Sequence, residues 1–138
     1  HVLIPHVPFV FGADGNLLQD PGFYTGEMAG AVNDEYAQEG YANQVEFISQ
    51  AIAQIAQEII DQSENPPIII IQGDHGWKGE NRHQILNLYY FPDQDYTKLY
   101  PAITPVNSFR VVFDQFFGFD FPLEPDEVIS QETYSSDQ

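Results

Sequence analysis

The chain has 138 residues, of which 43% are hydrophobic and 14% aromatic, and this is enough apolar side chain for the core of one compact domain. Its formal net charge is −17, from 21 acidic and 4 basic residues. That charge argues against a nucleic-acid partner, which needs a basic surface, and equally against an anionic membrane surface. Because the chain has no cysteine, any metal must be held by the nitrogen and oxygen donors of His, Asp and Glu.

The first eleven residues, 1–11, are rich in β-branched and aromatic side chains and predict a strand that ends in a loop carrying His6. Two prolines, Pro5 and Pro8, make the second half a strand end or an edge. Residues 12–40 contain repeated glycines and turn-forming pairs, and they predict a long irregular connection. Since the chain begins with His1 rather than Met, we expect it to be a piece of a longer protein.

An amphipathic helix is predicted over residues 41–62. Its apolar side chains recur at spacings of three and four, at Val45, Ile48, Ile52, Ile55 and Ile59. Pro66 and Pro67 follow the end of this helix, and the uninterrupted run Ile68–Ile71 then predicts a strand buried on both faces of a parallel sheet. This order of elements predicts an α/β fold with a mainly parallel sheet flanked by helices.

The second half of the chain continues the same pattern. Residues 85–91 predict another strand, and Thr104 followed by Pro105 predicts the N-terminus of a helix that runs to Gly118. We expect that helix to pack on the sheet through its apolar residues Val106, Phe109, Val112, Phe113 and Phe116. One α/β domain is therefore predicted over residues 1–125, with an acidic tail over 126–138, of which the first part is docked and the rest frayed.

The candidate site lies at the carboxyl end of the isoleucine strand, in Gly73-Asp74-His75-Gly76. Ligands of open α/β sheets bind at these strand ends. Asp74 and His75 offer an oxygen and an imidazole nitrogen for a metal, and the glycines let the backbone turn and come close to an ion. The alternative is an ordinary turn, in which Asp74 bonds to its own backbone.

Three more residues are candidates for contact with a substrate. His6 lies between Pro5 and Pro8, a stiff context that directs its imidazole, although a lone histidine is more often a structural residue. Lys78 and Arg82 are two of the four basic residues and closely follow Asp74, which suggests an anionic substrate such as a phosphate or sulfate. The alternative for both cations is surface pairing with nearby acidic residues.

These motifs resemble the C-terminal half of a sulfatase-like domain of the alkaline phosphatase superfamily. The resemblance rests on the order of His6-Val7-Pro8-Phe9, a helix, Ile68–Gly76, Arg82 and the strand ending in Phe91-Pro92, and it covers residues 1–118. The pattern is most similar to the branch of lipoteichoic acid synthases and phosphoethanolamine transferases. That branch implies an α/β domain of the alkaline-phosphatase type in an extracytoplasmic, membrane-anchored parent protein.

The resemblance also implies roles for the candidate residues. Asp74 and His75 match ligands of the catalytic divalent metal, which can be Mn, Zn, Mg or Ca, and His6 matches a histidine that contacts the transferred group or its leaving oxygen. Arg82 or Lys78 would grip the anion of a sulfate or phosphate ester. The nucleophile and the remaining acidic ligands of such enzymes lie in the N-terminal half of the protein, so we expect this piece alone to be inactive and the intact protein to be a hydrolase or transferase.

A second interpretation is a degenerate sulfatase-like module without catalysis, kept for binding or for packing. It is suggested by Thr104-Pro105-Val106-Asn107, which departs from the Asp and Pro-Thr residues that many sulfatases have before their last helix. The aromatic residues Tyr24, Tyr41 and Tyr96, if exposed, favour the same interpretation. The residues upstream of His1 would separate the two, since an enzyme needs a nucleophilic Thr or Ser there.

Overall fold

The computed structural model of the chain describes residues 2–19, 34–77 and 79–127. It divides the chain into two compact units, His1–Asn65 and Pro66–Gln138. The predicted α/β class is confirmed as a small mixed fold, whose elements are helix α1 (Asp34–Gln62), strand β1 (Ile69–Gln72), a 3-10 helix (Gly79–His83), strand β2 (Asn87–Tyr90) and helix α2 (Pro105–Phe117). Among the described residues, no helix is long and apolar enough to cross a membrane.

Helix α1 begins at Asp34, well before the predicted start at Tyr41. Gly40, which the sequence places in a loop, lies inside the helix and is buried. A Cβ atom at this position would lie 2.5 Å from Cδ2 of Phe9, whose side chain is only 5% exposed. The glycine therefore allows the Phe9 ring to pack directly on the helix backbone, which compensates for its weak helix propensity.

The apolar stripe of α1 is buried along only part of its length. Val45, Ile48 and Ile52 are half-buried. Further along the helix, Ile55 and Ile59 are 54% and 44% exposed. The predicted amphipathic pattern is thus present, but the described residues cover only its first half.

The predicted N-terminal strand is not formed. Residues 2–11 make turns and a single isolated bridge, between Phe11 and Leu17. Pro5 and Pro8 have no N–H group to donate to a sheet, and this is the physical reason. Both prolines follow cis peptide bonds.

A buried glutamine of α1 holds this N-terminal segment instead. The side chain of Gln44 is fully buried, and its Oε1 accepts hydrogen bonds from the backbone N–H groups of Val10 at 2.9 Å and Phe11 at 3.3 Å. Its Nε2 donates to the carbonyl oxygen of His6 at 3.2 Å. One helix side chain thus satisfies the backbone groups that a neighbouring strand would otherwise satisfy.

Strand β1 pairs with β2 in the second unit, and the pair is antiparallel, with Ile69 opposite Tyr90 and Gln72 opposite Asn87. The isoleucine run predicts a parallel neighbour, so for this pair the prediction is wrong. The connection over residues 73–86 is a loop with a short 3-10 helix, whereas parallel neighbours are usually joined through an α-helical crossover. All four β1 residues are half-buried, so the apolar run indicated a sheltered strand but not the direction of its neighbour.

Helix α2 has the predicted ends. Thr104 is the N-cap, and its side-chain oxygen accepts from the N–H group of Asn107 at 3.5 Å, with Pro105 as the first helical residue. Gly118 ends the helix in the left-handed conformation, with φ of 70°, and its N–H group donates to the carbonyl of Phe113.

The buried face of α2 differs from the predicted one. Its buried residues are Asn107, Ser108, Val111 and Val112. Two of these are polar, and they are stable there because both have hydrogen-bond partners within the unit. Of the five predicted core residues, Val112 is buried and Phe116 half-buried, whereas Val106, Phe109 and Phe113 are 57%, 47% and 39% exposed. Phe113 instead makes tilted or edge-on ring contacts with Phe109 and Phe117 of the helix and with two residues that follow it. Together they form an exposed aromatic cluster of Phe109, Phe113, Phe117, Phe119 and Phe121.

The chain after α2 folds back along the helix. Arg110 donates from its guanidinium to the carbonyl of Pro122 at 2.7 Å and to the carboxylate of Glu124 at 2.8 Å. Asn107 bonds to the backbone of Glu124 in both directions, accepting from its N–H at 2.9 Å and donating to its carbonyl at 2.7 Å. Two polar side chains of α2, the half-buried Arg110 and the buried Asn107, therefore fix this returning segment.

Asp126 also belongs to the returning segment. Its carboxylate accepts from the hydroxyl of Tyr100 at 2.6 Å, from the N–H group of Thr104 at 2.9 Å and from Nδ2 of Asn107 at 2.9 Å. The hydrogen bonds from Tyr100 and then Thr104 lower the pKa of Asp126 to about 2. The start of the predicted acidic tail is thus docked, as expected, while residues 128–138 lie outside the described part of the chain.

Candidate functional site

The Gly73-Asp74-His75-Gly76 segment leaves the end of β1 in the second unit. The N–H group of Gly73 donates to the carbonyl of Leu86 at 3.0 Å, which extends the strand ladder by one hydrogen bond. Asp74 is the first residue beyond that bond, and its side chain is 85% exposed. The structure therefore places the carboxylate and the following imidazole at the strand terminus, as the sequence predicts.

The imidazole of His75 has one nitrogen engaged and one open. Nδ1 lies 2.8 Å from the carbonyl oxygen of Gly76, and since a carbonyl can only accept, Nδ1 carries the proton. Nε2 of the neutral ring then presents a lone pair, 3.8 Å from Oδ2 of Asp74. The other oxygen of Asp74 accepts from the backbone N–H of His75 at 3.0 Å, as in the turn interpretation.

Gly76 is essential to the path of this loop. Its N–H group donates to the carbonyl of Arg82 at 2.7 Å. A Cβ atom at Gly76 would overlap the carbonyl oxygen of Asn81 and would lie 2.5 Å from that of Gln84. Only glycine lets the loop pack this closely against the 3-10 helix, and that packing sets where the Gly76 carbonyl meets His75.

These two donors fit part of a metal site. Protein ligands lie about 2.0–2.2 Å from a bound zinc ion, so two donors of one ion are up to about 4 Å apart. Nε2 of His75 and Oδ2 of Asp74 meet this condition, and donation from Nδ1 to a carbonyl is the usual support of a metal-binding histidine. Within the described residues no group of three or more His, Cys, Asp or Glu side chains could hold a metal, so the pair is an incomplete ligand set.

The basic residues differ in their surroundings. Lys98 pairs with Asp114, and Arg110 pairs with Glu124. Arg82 lies in the 3-10 helix beside the Asp74 loop, is exposed, and forms no ion pair with a carboxylate that the structure describes. Lys78, the other predicted anion-binding residue, lies outside the described residues.

His6 lies in the first unit, whereas Asp74 and His75 lie in the second. Its N–H group donates to the carbonyl of Leu3 at 2.8 Å, and its Nδ1 lies 2.7 Å from the carbonyl oxygen of Val7. The ring is exposed. The turn thus directs the imidazole, as the flanking prolines predict, and leaves Nε2 of the neutral ring as a lone-pair donor.

A polar network that was not among the predicted features lies behind the Asp74 loop. It is formed by Gln72, Asn87, Tyr89 and Ser108, which join β1, β2 and α2. A signal for it exists in the sequence, because Gln72 and Asn87 are polar residues within strands that are otherwise apolar. Polar side chains in a sheltered strand need polar groups nearby as hydrogen-bond partners.

Comparison of the chain with protein-family models, with curated proteins and with solved structures finds no match.

Proposed function

We propose that this chain is the C-terminal part of a metal-dependent hydrolase or transferase that acts on sulfate or phosphate esters. Asp74 and His75 are two ligands of its divalent metal. The observation that carries the proposal is the open Nε2 of His75, held by the Gly76 carbonyl 3.8 Å from the exposed carboxylate of Asp74. The resemblance to sulfatase-like domains of the alkaline phosphatase superfamily points to the same two residues.

The remaining ligands and the nucleophile are proposed to come from the N-terminal half of the same protein. A catalytic ion takes at least three protein donors, and the described residues supply two. Strand β1 has one paired neighbour, β2, in a two-stranded sheet. Within the described residues no strand pairs with its other edge, and that edge would take the further strands of the larger, mainly parallel sheet that the resemblance implies.

When bound, the metal would polarise an oxygen of the ester and stabilise the charge that develops on it. Asp74 and His75 would fix the position of the ion. Arg82, whose backbone carbonyl bonds to Gly76 of this loop and whose side chain is exposed, would bind the anionic group of the substrate through paired hydrogen bonds. His6 would offer Nε2 to the transferred group or to the leaving oxygen.

The proposal is tested on the intact protein with the variants Asp74→Ala and His75→Ala. Each should lose Mn²⁺ or Zn²⁺ binding at this site, measured by calorimetry, together with cleavage of sulfate or phosphate esters. Asp61→Ala and His83→Ala, which change exposed residues of the same types, serve as matched controls and should keep both properties. Unchanged metal binding and unchanged ester cleavage in the Asp74 and His75 variants would reject the proposal.

The role of Arg82 has its own test. Arg82→Gln should raise KM for the ester more than it lowers kcat, because an anion-binding residue acts mainly on substrate affinity. Lys78→Gln, measured in parallel, shows which of the two cations binds the anion. If neither variant changes KM, neither cation contacts the substrate.

The second candidate is a sulfatase-like module without catalytic activity. It is favoured by the hydrogen bond from His75 N–H to Asp74, which is the local bond of an ordinary turn. The tyrosines that were expected to be exposed give it little support. Tyr41 is half-buried, and Tyr24 lies outside the described residues. Tyr96 is 40% exposed and stacks on Phe91, with the ring centroids 5.3 Å apart. Absence of ester cleavage by the intact protein, with Mn²⁺ and Zn²⁺ supplied, would select this candidate.

A further inference from the structure

The polar network of the second unit lies directly behind the Asp74 loop. Gln72 is the last residue of β1, and its side-chain Nε2 donates to Oδ1 of Asn87 at 2.7 Å and to Oγ of Ser108 at 3.0 Å. Asn87 is also its partner in the strand register. A single amide group thus joins the terminus of β1 to β2 and to α2.

The acceptors of this amide are themselves fixed. Ser108 is fully buried, and its hydroxyl donates to the carbonyl of Thr104 at 2.9 Å. Since that hydroxyl has one proton, the hydroxyl of Tyr89, at 2.6 Å, donates to Ser108 Oγ. Asn87 donates onward to the carbonyl of Ile103 at 3.2 Å. The network therefore reaches both strands, the helix and the residues that precede the helix.

The position of Gln72 in the chain gives the network its importance for the loop. Only Gly73, bonded to the Leu86 carbonyl, separates Gln72 from Asp74. The network is thus the last side-chain anchor before the two proposed metal donors. Because its members are half-buried or buried, removal of the Gln72 amide would leave Oδ1 of Asn87 without this donor and Ser108 with Tyr89 as its remaining donor. The strand end would shift to restore the lost hydrogen bonds.

We infer that Gln72 is the positioning residue of the proposed metal site: its amide holds the end of β1 against β2 and α2, so that Asp74 and His75 present their donors to one ion. This inference rests on the proposed function. Gln72 touches neither the metal nor the substrate, and it acts through the backbone that leads to Asp74. Gln72 is thus the group that keeps the two proposed ligands in position relative to each other.

The test uses the intact protein, which supplies the remaining proposed ligands, with Gln72→Met, a change that keeps the length of the side chain and removes its hydrogen-bonding amide. Gln57→Met is the matched control, since Gln57 is exposed on α1 and its amide donates to Asp61 at 2.8 Å. Tyr100→Phe is the stability control, because it removes hydrogen bonds to Asn107 and Asp126 in the same unit without touching Gln72. Ser108→Ala is a milder second variant that removes one of the two acceptors.

Two measurements are made on each protein. The first is hydrogen exchange of the Gly73 and Gly76 amides without metal. The second is titration with Zn²⁺, followed through the ring nitrogens of His75 by long-range ¹⁵N–¹H spectra. In Gln72→Met we expect faster exchange of both amides and a Zn²⁺ affinity about tenfold weaker, as for other supporting residues of metal sites. Ser108→Ala should change the amide exchange rates and the Zn²⁺ affinity in the same directions, each by a smaller factor.

The outcomes separate the inference from the proposed function. If Gln72→Met and Ser108→Ala bind Zn²⁺ as the unmodified protein does, Gln72 has no positioning role, whatever the metal site does. If Tyr100→Phe weakens Zn²⁺ binding as much as Gln72→Met, the effect is one of general stability, and the inference is again overturned. If Zn²⁺ leaves the His75 signals of the unmodified intact protein unmoved, the proposed metal site itself fails, and the inference falls with it.

Discussion

Nδ1 of His75 donates to the carbonyl of Gly76 at 2.8 Å, and this hydrogen bond decides which ring nitrogen is open to a ligand. His6 repeats the arrangement with the carbonyl of Val7, at 2.7 Å. In each case a histidine bonds to the carbonyl of the residue that follows it. In each of the two rings, Nε2 is therefore the nitrogen that remains available.

The first prediction concerns this tautomer. In its neutral form the His75 imidazole should carry its proton on Nδ1, whereas a histidine free in water favours the proton on Nε2. Long-range ¹⁵N–¹H spectra of the metal-free chain distinguish the two forms. A short histidine peptide provides the reference, and a His75 spectrum like that of the peptide would contradict the prediction.

The second prediction compares two glycines of the same loop. Gly76→Ala should lower the free energy of unfolding by about 1–3 kcal/mol, because its methyl group would overlap the Asn81 and Gln84 carbonyls. Gly73→Ala should have a much smaller effect, since its Cβ would lie 3.5 Å from the nearest atom, Leu86 N, an ordinary contact. Urea unfolding of both variants makes the comparison, and equal losses would show that the close packing of Gly76 is not what stabilises the loop.

The third prediction is that a glycine-to-alanine substitution in α1 has the opposite of its usual effect on stability. Replacement of glycine by alanine inside a helix ordinarily stabilises by about 0.8–1 kcal/mol. In α1, Gly40→Ala should destabilise instead, because the new methyl group would overlap the buried ring of Phe9. The measurement is again the free energy of unfolding, with Ser49→Ala at an exposed position of the same helix as the control. A more stable Gly40→Ala protein would mean that Phe9 does not pack on the helix backbone.

The fourth prediction concerns the pKa of Asp126 and its effect on stability at low pH. The pKa of Asp126 is lowered from 3.8 to about 2, so its carboxylate stabilises the fold above about pH 4, and this contribution is lost as the pH falls through about 2. Tyr100→Phe removes the hydroxyl that is the largest cause of the shift, and it should move the pKa of Asp126 back toward 3.8. NMR titration of the Asp126 carboxyl carbon measures both values. An unchanged titration in Tyr100→Phe would show that this hydroxyl does not hold the carboxylate.

The sequence by itself determined several local elements of this protein, although not the N-terminal segment or the start of α1. It predicted α2 between Thr104 and Gly118, because a cap, a proline and a glycine define helix ends through neighbouring residues only. It also predicted the two strands to within one or two residues and the loop that carries Asp74 and His75. These features depend on backbone preferences and on the apolar pattern within short stretches of chain.

Only the tertiary structure decided how those elements meet. The direction of β2 beside β1, the helical place of Gly40 under the Phe9 ring and the polar face of α2 all depend on residues far apart in the chain. The open nitrogen of His75 also depends on packing, although over a shorter stretch of chain. It depends on the Gly76 carbonyl, whose position is set by Asn81, Arg82 and Gln84. A residue pattern indicates which groups will be sheltered, but the partner that satisfies each group is chosen by packing in three dimensions.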